Sequence, residues 1–386
     1  MSLAPSTTTS PIGFATTRGA LLPLVKALEK LTKPRHGRGI PIFQYVCLDA
    51  DAGLIWATNY ETTIAMEAPL TGHGRTLVRA ATLAAAVKPG GTSVKALAMG
   101  VSVRTDGRTG VATVGPRQVP LGIHPEPEEY PQTPDIHTTS TEFRAAVGGG
   151  TLLAMWEATR FAAEKGSMVL PILNTVKVAT TDNDITLLAT DRYRLAEYRF
   201  ASGHFREGPE MLVPLDFDQY LPLIKGRGQV SLSYDPTLRT MTVRAGQYTL
   251  TTRLIEGEFP RTQSIVEAPK TNRTDLDRDA LIEAVRQVLP SVERNVPVKL
   301  AMWEGAATVK VNTDDGEVCS VPVPAHHAVG LGNVYGLDPH YLLDCLRALP
   351  AGTVSICTTE PTKPLRFESD LAPGLRIIQM PVRFAS

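Results

Sequence analysis

Residues Leu212–Ile255 read LVPLDFDQYLPLIKGRGQVSLSYDPTLRTMTVRAGQYTLTTRLI, and this stretch decides the fold. An apolar run with helix-like spacing reaches the turn Lys225-Gly226-Arg227-Gly228. It then gives way to alternation of period two in Val230, Leu232 and Tyr234. Alternation places successive side chains on opposite faces of a strand, so the part after the turn is a group of strands with one buried face. The same design occurs twice more. Residues 77–114 (LVRAATLAAAVKPGGTSVKALAMGVSVRTDGRTGVATV) carry it upstream. Residues 335–382 (YGLDPHYLLDCLRALPAGTVSICTTEPTKPLRFESDLAPGLRIIQMPV) carry it downstream. The spacing is that of domains, not of solenoid repeats.

A second pattern, again helix then strands, precedes each copy. RGALLPLVKALEKL (18–31) leads to IPIFQYVCLDADAGLIWATNYETTIAME (40–67). TLLAMWEATRFAAEK (151–165) leads to VLPILNTVKVATTDNDITLLATDRYRLAEYRF (169–200). RDALIEAVRQVL (278–289) leads to NVPVKLAMWEGAATVKVNTDDGEVCSVPV (295–323). Leu21, Leu24, Val25 and Leu28 fall at helical spacing, as do Leu281, Val285, Val288 and Leu289. Pro41-Ile42, Pro171-Ile172 and Pro297-Val298 mark where each strand group begins, a position that suits proline at the first residue of a strand. The segments 124–139 and 266–274 are rich in proline and small polar residues and read as linkers. The chain is therefore expected to be α+β, built of three domains of one design: 1–130, with 1–12 a flexible tail, then 140–265 and 272–386.

Composition narrows the function. With 386 residues and 43% hydrophobic side chains, the chain can bury ordinary cores. No apolar run is long enough to span a bilayer, and MSLAPSTTTSP lacks the basic and apolar regions of a signal peptide, so no membrane association and a cytoplasmic place are expected. Lys plus Arg and Asp plus Glu both number 39, and this neutrality argues mildly against a simple nucleic-acid binder. Cys47, Cys319, Cys345 and Cys357 have neither zinc-site nor disulfide spacing and read as free thiols. His326 and His327 are adjacent, so on a strand they point to opposite faces and cannot share a metal. Gly148-Gly149-Gly150 lacks the lysine of a phosphate loop and reads as a turn. Asp49 and Asp51 lie at a strand end, and Asp314-Asp315-Gly316 marks a hairpin. No catalytic constellation emerges, and neither an enzyme nor a cofactor is expected.

Several of these stretches resemble the bacterial DNA polymerase III beta subunit, the sliding clamp family. The likeness is strongest in LPILNTVKV and ITLLATDRYRLA (within 170–196), LTTRLIEGEFP (250–260), LDPHYLLDCLRALP (337–350) and IIQMPVRF (377–384). It implies a ring-forming DNA clamp fold with helices inside and antiparallel sheets outside. Two copies would close head to tail into six similar domains that encircle duplex DNA without reading its sequence. The implied partners are the polymerase III catalytic subunit, the clamp loader and other clamp-motif proteins.

Basic residues on or near the helices are the candidates for DNA phosphates: Lys30, Lys33, Arg35, Arg38, Arg79, Arg160, Lys165, Arg227 and Arg286, with Lys26, Lys88, Lys225 and Arg294 beside them. The plain alternative for each is one more solvated charge on a helix face. The resemblance also implies an apolar peptide pocket. Its wall is Leu173, Thr190, Arg192, Tyr193, Arg194 and Leu195, then Pro260 and Ile265, then Pro364, Ile378, Met380, Pro381, Val382 and Arg383. Aliphatic and methionine side chains give adaptable surface, and arginines at the rim can hold carboxylates or carbonyls. Relatives commonly carry Thr-Asp-Gly-His-Arg-Leu where this chain has Thr190-Asp191-Arg192-Tyr193-Arg194-Leu195. That departure raises a second expectation, a specialised clamp paralogue with an altered pocket that resists a clamp-binding inhibitor. Val101 and Val103 on a strand, with Val288 and Leu289 at a helix end, are the candidates for the dimer contact; ordinary core is the alternative.

Overall fold

The computed structural model describes residues 12–33, 40–88, 98–103, 109–134, 136, 144–166, 170–201, 205–292, 296–303, 305–313, 316–329 and 333–383. One order of elements occurs three times: strand, helix, four strands, helical segment, three strands. The first copy opens with β1 (Ile12–Thr17), α1 (Arg18–Thr32), β2 (Tyr45–Asp49), β3 (Leu54–Thr58), β4 (Thr62–Glu67) and β5 (Arg75–Arg79). It continues with α2 (Ala80–Val87), β6 (Ala98–Val103), β7 (Gly110–Val114), β8 (Arg117–Leu121) and the short β9 (Ile123–His124). The second holds β10 (Arg144–Gly148), α3 (Gly149–Arg160), β11 (Thr175–Thr180), β12 (Asp184–Thr190), β13 (Arg194–Ala201) and β14 (Met211–Pro214). Two single 3-10 turns follow, then β15 (Gln229–Asp235), β16 (Thr240–Ala245) and β17 (Tyr248–Arg253), with α4 (Gln263–Val266) after them. The third comprises β18 (Asn272–Asp277), α5 (Arg278–Val288), β19 (Val298–Trp303), β20 (Ala306–Thr313), β21 (Gly316–Val329) and β22 (Asn333–Leu337). It closes with α6 (Pro339–Ala348), β23 (Thr353–Thr358), β24 (Leu365–Glu368) and β25 (Leu375–Gln379).

The chain forms two compact units, residues 1–150 with 216–254, and residues 151–215 with 255–386. In the first unit a nine-stranded sheet runs β10-β15-β16-β17-β4-β3-β2-β5-β9, beside a four-stranded sheet β1-β6-β7-β8. In the second, twelve strands run β14-β11-β12-β13-β25-β24-β23-β18-β21-β20-β19-β22. Both large sheets pass from one repeat into the next through an antiparallel pair. Thr62 to Met66 of β4 lies along Thr252 to Tyr248 of β17, and Arg194 to Tyr198 of β13 lies along Gln379 to Leu375 of β25. Each joint satisfies backbone groups that a lone sheet edge would leave open.

Local sequence explains the helices. Thr17 caps α1 by accepting from the Ala20 amide, and Asp277 caps α5 by accepting from Ala280 at 2.7 Å. Asp338 caps α6 by accepting from His340 and Tyr341, with Pro339 at the first helical position where no amide is needed. The expected second helix of the middle repeat is instead the pair of 3-10 turns Leu215–Gln219 and Leu221–Ile224. Pro222 has no amide to donate, so the apolar spacing that reads as a helix is realised as two short turns. Pro41 and Pro171 open 3-10 turns, Pro41–Gln44 and Pro171–Asn174, and do not begin strands; only Pro297 directly precedes one. Gly148-Gly149-Gly150 is the junction of β10 with α3. A Cβ on Gly149 would meet the Ile224 carbonyl at 2.9 Å, so the junction requires close backbone approach.

Trp56 and Tyr248 are buried in the first unit, Tyr335 and Phe367 in the second. Val101, Val103 and Val288 are also core, each 3% exposed or less, and Leu289 alone of the four expected interface residues is half-buried. Three of the four therefore spend their apolar surface inside their own unit and have none to offer a partner. The cysteines are free, as their spacing suggests; burial pushes the Cys47 thiol up to about 12 and raises those of Cys345 and Cys357 as well, so these three stay protonated.

The β13–β25 joint is tight enough to test. The Arg199 amide donates to the Gly374 carbonyl at 2.9 Å, and a Cβ on Gly374 would fall 1.9 Å from the Arg199 carbonyl oxygen. Gly374→Ala is expected to destabilise the protein by about 3 kcal/mol in urea denaturation, since backbone cannot yield as a flexible side chain can. Gly150→Ala, which meets nothing within 4 Å, should be neutral.

Candidate peptide-docking site and basic helix faces

The turn between β12 and β13 builds the centre of the site. Thr190 Oγ1 donates to the Arg194 carbonyl at 2.6 Å and accepts from the Arg192 amide at 3.1 Å. Asp191 Oδ1 accepts from the amides of Tyr193 and Arg194 at 2.9 and 2.6 Å. These bonds hold Arg192 at φ 77°, a left-handed conformation usually left to glycine or asparagine. The side-chain acceptors of Thr190 and Asp191 fasten the amides of Arg192, Tyr193 and Arg194, and the Asp191 amide donates to the Arg194 carbonyl at 3.2 Å, which is how a non-glycine residue persists there.

Arg194 ties this turn to α6. Its guanidinium donates to Asp191 through Nε and Nη2, at 2.9 and 2.8 Å, and to Asp344 through Nη1 at 2.8 Å. It also lies over the Tyr341 ring, 4.0 Å from the centroid, and 5.7 Å from that of Phe161. Burial alone pulls its pKa down, but the Asp191 and Asp344 carboxylates raise it overall. Arg194 is thus a fixed strut and not a rim arginine free to greet a ligand. Asp191, Tyr341 and Asp344 were not among the expected site residues. The Thr-Asp-x-x-Arg spacing signals the Asp191 turn, whereas nothing local links residue 194 to α6.

Leu195, Ile378 and Val266 form one buried apolar cluster under the site, and Leu173 is also buried, so these expected wall residues act as its floor. Tyr193, Ile265, Met380 and Val382 are exposed, at 58%, 37%, 37% and 40%. They are brought together by the β13–β25 joint, beyond which the Met380 amide donates to the Tyr193 carbonyl at 2.8 Å. Pro364 and Pro381 are half-buried; Pro260, Arg192 and Arg383 are exposed. Arg192 reaches Glu164 only at 4.0 Å, leaving its guanidinium largely solvated at the mouth. The result is a soft apolar lip over an aliphatic floor with cations beside it, suited to a short peptide carrying apolar and acidic groups.

The basic residues divide by what already holds them. Lys26, Lys30 and Lys33 are exposed along and just past α1; Lys26 and Lys30 line a shallow apolar hollow with Tyr220 and Leu223, two residues before the exposed Lys225. Arg79 is exposed at the start of α2, and Lys165 is exposed after α3. Lys88 is paired with Glu29, Arg160 with Glu157 at 2.8 Å, and Arg286 with Glu283 at 4.0 Å. Arg227 stacks over Tyr248, 4.8 Å from the ring centroid, and donates to its hydroxyl. Arg35, Arg38 and Arg294 lie outside the described residues. Among the described residues no three His, Cys, Asp or Glu side chains cluster to hold a metal, and no helix is long and apolar enough to cross a membrane.

Removing Asp191 strands the buried Arg194 charge and frees the turn amides. Asp191→Ala is expected to cost about 3 kcal/mol by urea denaturation. Asp344→Asn should cost well under half of that, because Asp344 is 44% exposed and Asp191 still pairs with the guanidinium.

Residues 147–261 match the family model described as DNA polymerase III beta subunit, central domain. The chain is 26% identical over 319 residues to the beta sliding clamp of Micrococcus luteus, covering 81% of this chain and 98% of that one. It is 22% identical over 373 residues to the beta sliding clamp of Escherichia coli K12, covering 93% and 97%. Among solved structures, a sliding clamp of Pseudomonas aeruginosa bound to griselimycin superposes with a TM-score of 0.84 at 18% identity, over 97% of this chain and all of the other. A clamp structure from Bacillus subtilis gives 0.82 at 18%, with the same coverage. The likeness of fold therefore runs through all three repeats, and residues 147–261 are a central domain of the DNA polymerase III beta subunit kind.

Proposed function

We propose that this chain is a DNA sliding clamp, a non-enzymatic processivity factor that encircles duplex DNA and tethers the replicative polymerase to it. One observation carries the reading: three copies of the same element order, fused edge to edge by the β4–β17 and β13–β25 pairs, in the fold of known clamps. Such a protein holds DNA by enclosing it, so its attraction to phosphates has to be sequence-blind and weak enough to slide.

The finer reading has several parts. The domains are 1–130, 140–265 and 272–386, and two chains join head to tail into a ring of six. Lys26, Lys30, Lys33, Lys165 and Lys225 are the exposed cations offered to phosphates, together with Arg79, which also donates to Gln44 at 3.4 Å; Arg160 and Arg286 are secondary because acidic neighbours hold them. Arg227, engaged with Tyr248, serves structure more than DNA. The lip formed by Tyr193, Ile265, Met380 and Val382 takes peptide motifs of the polymerase III catalytic subunit, the clamp loader and other clamp-binding proteins in the cytoplasm.

Loading tests this. Incubated with nicked circular DNA, a clamp loader and ATP, the chain should remain on the circle, survive a rise in salt that strips simple electrostatic binders, and fall off when the circle is cut. A chain that dimerises in solution yet is not retained would overturn the reading.

A further inference from the structure

The first unit repeats the architecture of the docking turn. Thr58 Oγ1 donates to the Thr62 carbonyl at 3.1 Å and accepts from the Tyr60 amide at 3.1 Å, as Thr190 does with Arg194 and Arg192. Asn59 Oδ1 accepts from the amides of Glu61 and Thr62, at 3.1 and 2.8 Å, in the manner of Asp191. Tyr60 has φ 72° against 77° for Arg192. The amide of Arg253 donates to the Glu61 carbonyl at 2.8 Å, as that of Met380 does to Tyr193. In the first unit the Phe43 ring, on the turn Pro41–Gln44, meets the Tyr60 ring edge-on with 4.6 Å between centroids. One backbone device thus stands at both joints between repeats.

The two sites differ in what the device displays. Where the second unit places Arg192 and Tyr193, the first has Tyr60 and Glu61. Where the second has Leu195 and Ile378 paired across the joint, the first has Thr63 and Thr251, a hydroxylated floor instead of an aliphatic one. The hollow here measures about 550 Å³, and Pro131, Pro134 and the 63% exposed Leu238 give it an apolar rim. Among the described residues its charged lining is Glu61, Asp235 and Arg253, net acidic, opposite in sign to the arginine-bearing lip of the other site. Two carboxylates repel a phosphate backbone, so DNA is a poor occupant. The exposed Tyr60 ring beside the Glu61 carboxylate suits a cation, which gains from both the ring face and the charge.

We propose that this hollow is a second peptide-docking groove, which takes an extended segment of a protein partner bearing a lysine or arginine next to a proline or other apolar side chain. The proposal rests on the reading of the Tyr193–Met380 site as a docking site, through the shared turn. It differs in assigning the two grooves opposite charge preference, so that one chain can hold two kinds of motif at once.

A phage-displayed library of random ten-residue peptides, panned against the full-length chain, separates the possibilities. Two classes of captured peptide are expected. Clones enriched in basic residues beside proline or apolar ones should lose at least tenfold in capture on Tyr60→Ser and on Glu61→Lys, and keep it on Met380→Ser. Apolar-acidic clones should show the reverse. If no clone depends on Tyr60 or Glu61 while both variants keep the parent's thermal midpoint, the second groove is overturned. If only the Met380-dependent class is missing, the docking reading of the first site fails and the groove stands. Concentration-dependent self-association abolished by Glu61→Lys would overturn the proposal in favour of a contact between copies.

Discussion

An antiparallel sheet cannot end in water without leaving a row of amides and carbonyls open, and this chain meets that constraint by fusing each repeat to the next. The β4–β17 and β13–β25 pairs are the two fusions. Both candidate grooves lie beside them. The β12–β13 turn stands next to Met380 because Arg194 pairs with Gln379. The β3–β4 turn stands next to Arg253 because Thr62 pairs with Thr252. A groove at each joint is thus a consequence of register, and the side chains placed there decide what it can hold.

The joint in the second unit has an additional lock, the buried Arg194 between Asp191, Asp344 and Tyr341. A buried ion pair contributes little net stability once desolvation is counted, but it penalises any arrangement that separates its partners. Its value here is in geometry: it fixes the turn against α6 while the lip of Met380 and Val382 stays exposed and adaptable. The first unit has no such strut in its turn, for Thr62 stands where Arg194 does, and a threonine hydroxyl pair with Thr252 at 3.5 Å takes its place. Rigid backbone under soft side chains suits the proposed docking role, in which one surface accepts related but unequal peptides.

Much of this was legible in the residues. Period-two alternation located β15, and the threefold recurrence gave the element order, because repeats carry the same burial demand each time. The second helix of the middle repeat misled, since Phe217, Leu221 and Ile224 are spaced as in an α-helix while Pro222 forbids one. Val101, Val103 and Val288 misled for another reason: core and interface demand the same apolar chemistry, and periodicity cannot tell which the side chain faces. Leu195 and Ile378 are buried together beneath the candidate site, where their apolar character is plain in the sequence, but the strut is not. Asp344 lies 150 residues from Arg194, and only tertiary structure reveals that they meet.

Formal neutrality, which at first argues against a DNA partner, fits a clamp better than strong basicity would. A protein that finds and holds DNA by affinity needs excess positive charge, and its binding then weakens steeply with salt. A protein that holds DNA by enclosure needs only enough local charge to centre the duplex, and more would slow its sliding. Lys26 and Lys30 on one helix and Lys33 just past it are exposed charges of this kind, while Lys88, Arg160 and Arg286 are offset by acidic neighbours. On the proposed clamp reading, the balance between free and offset cations on the helices governs sliding, and closure of the ring governs retention.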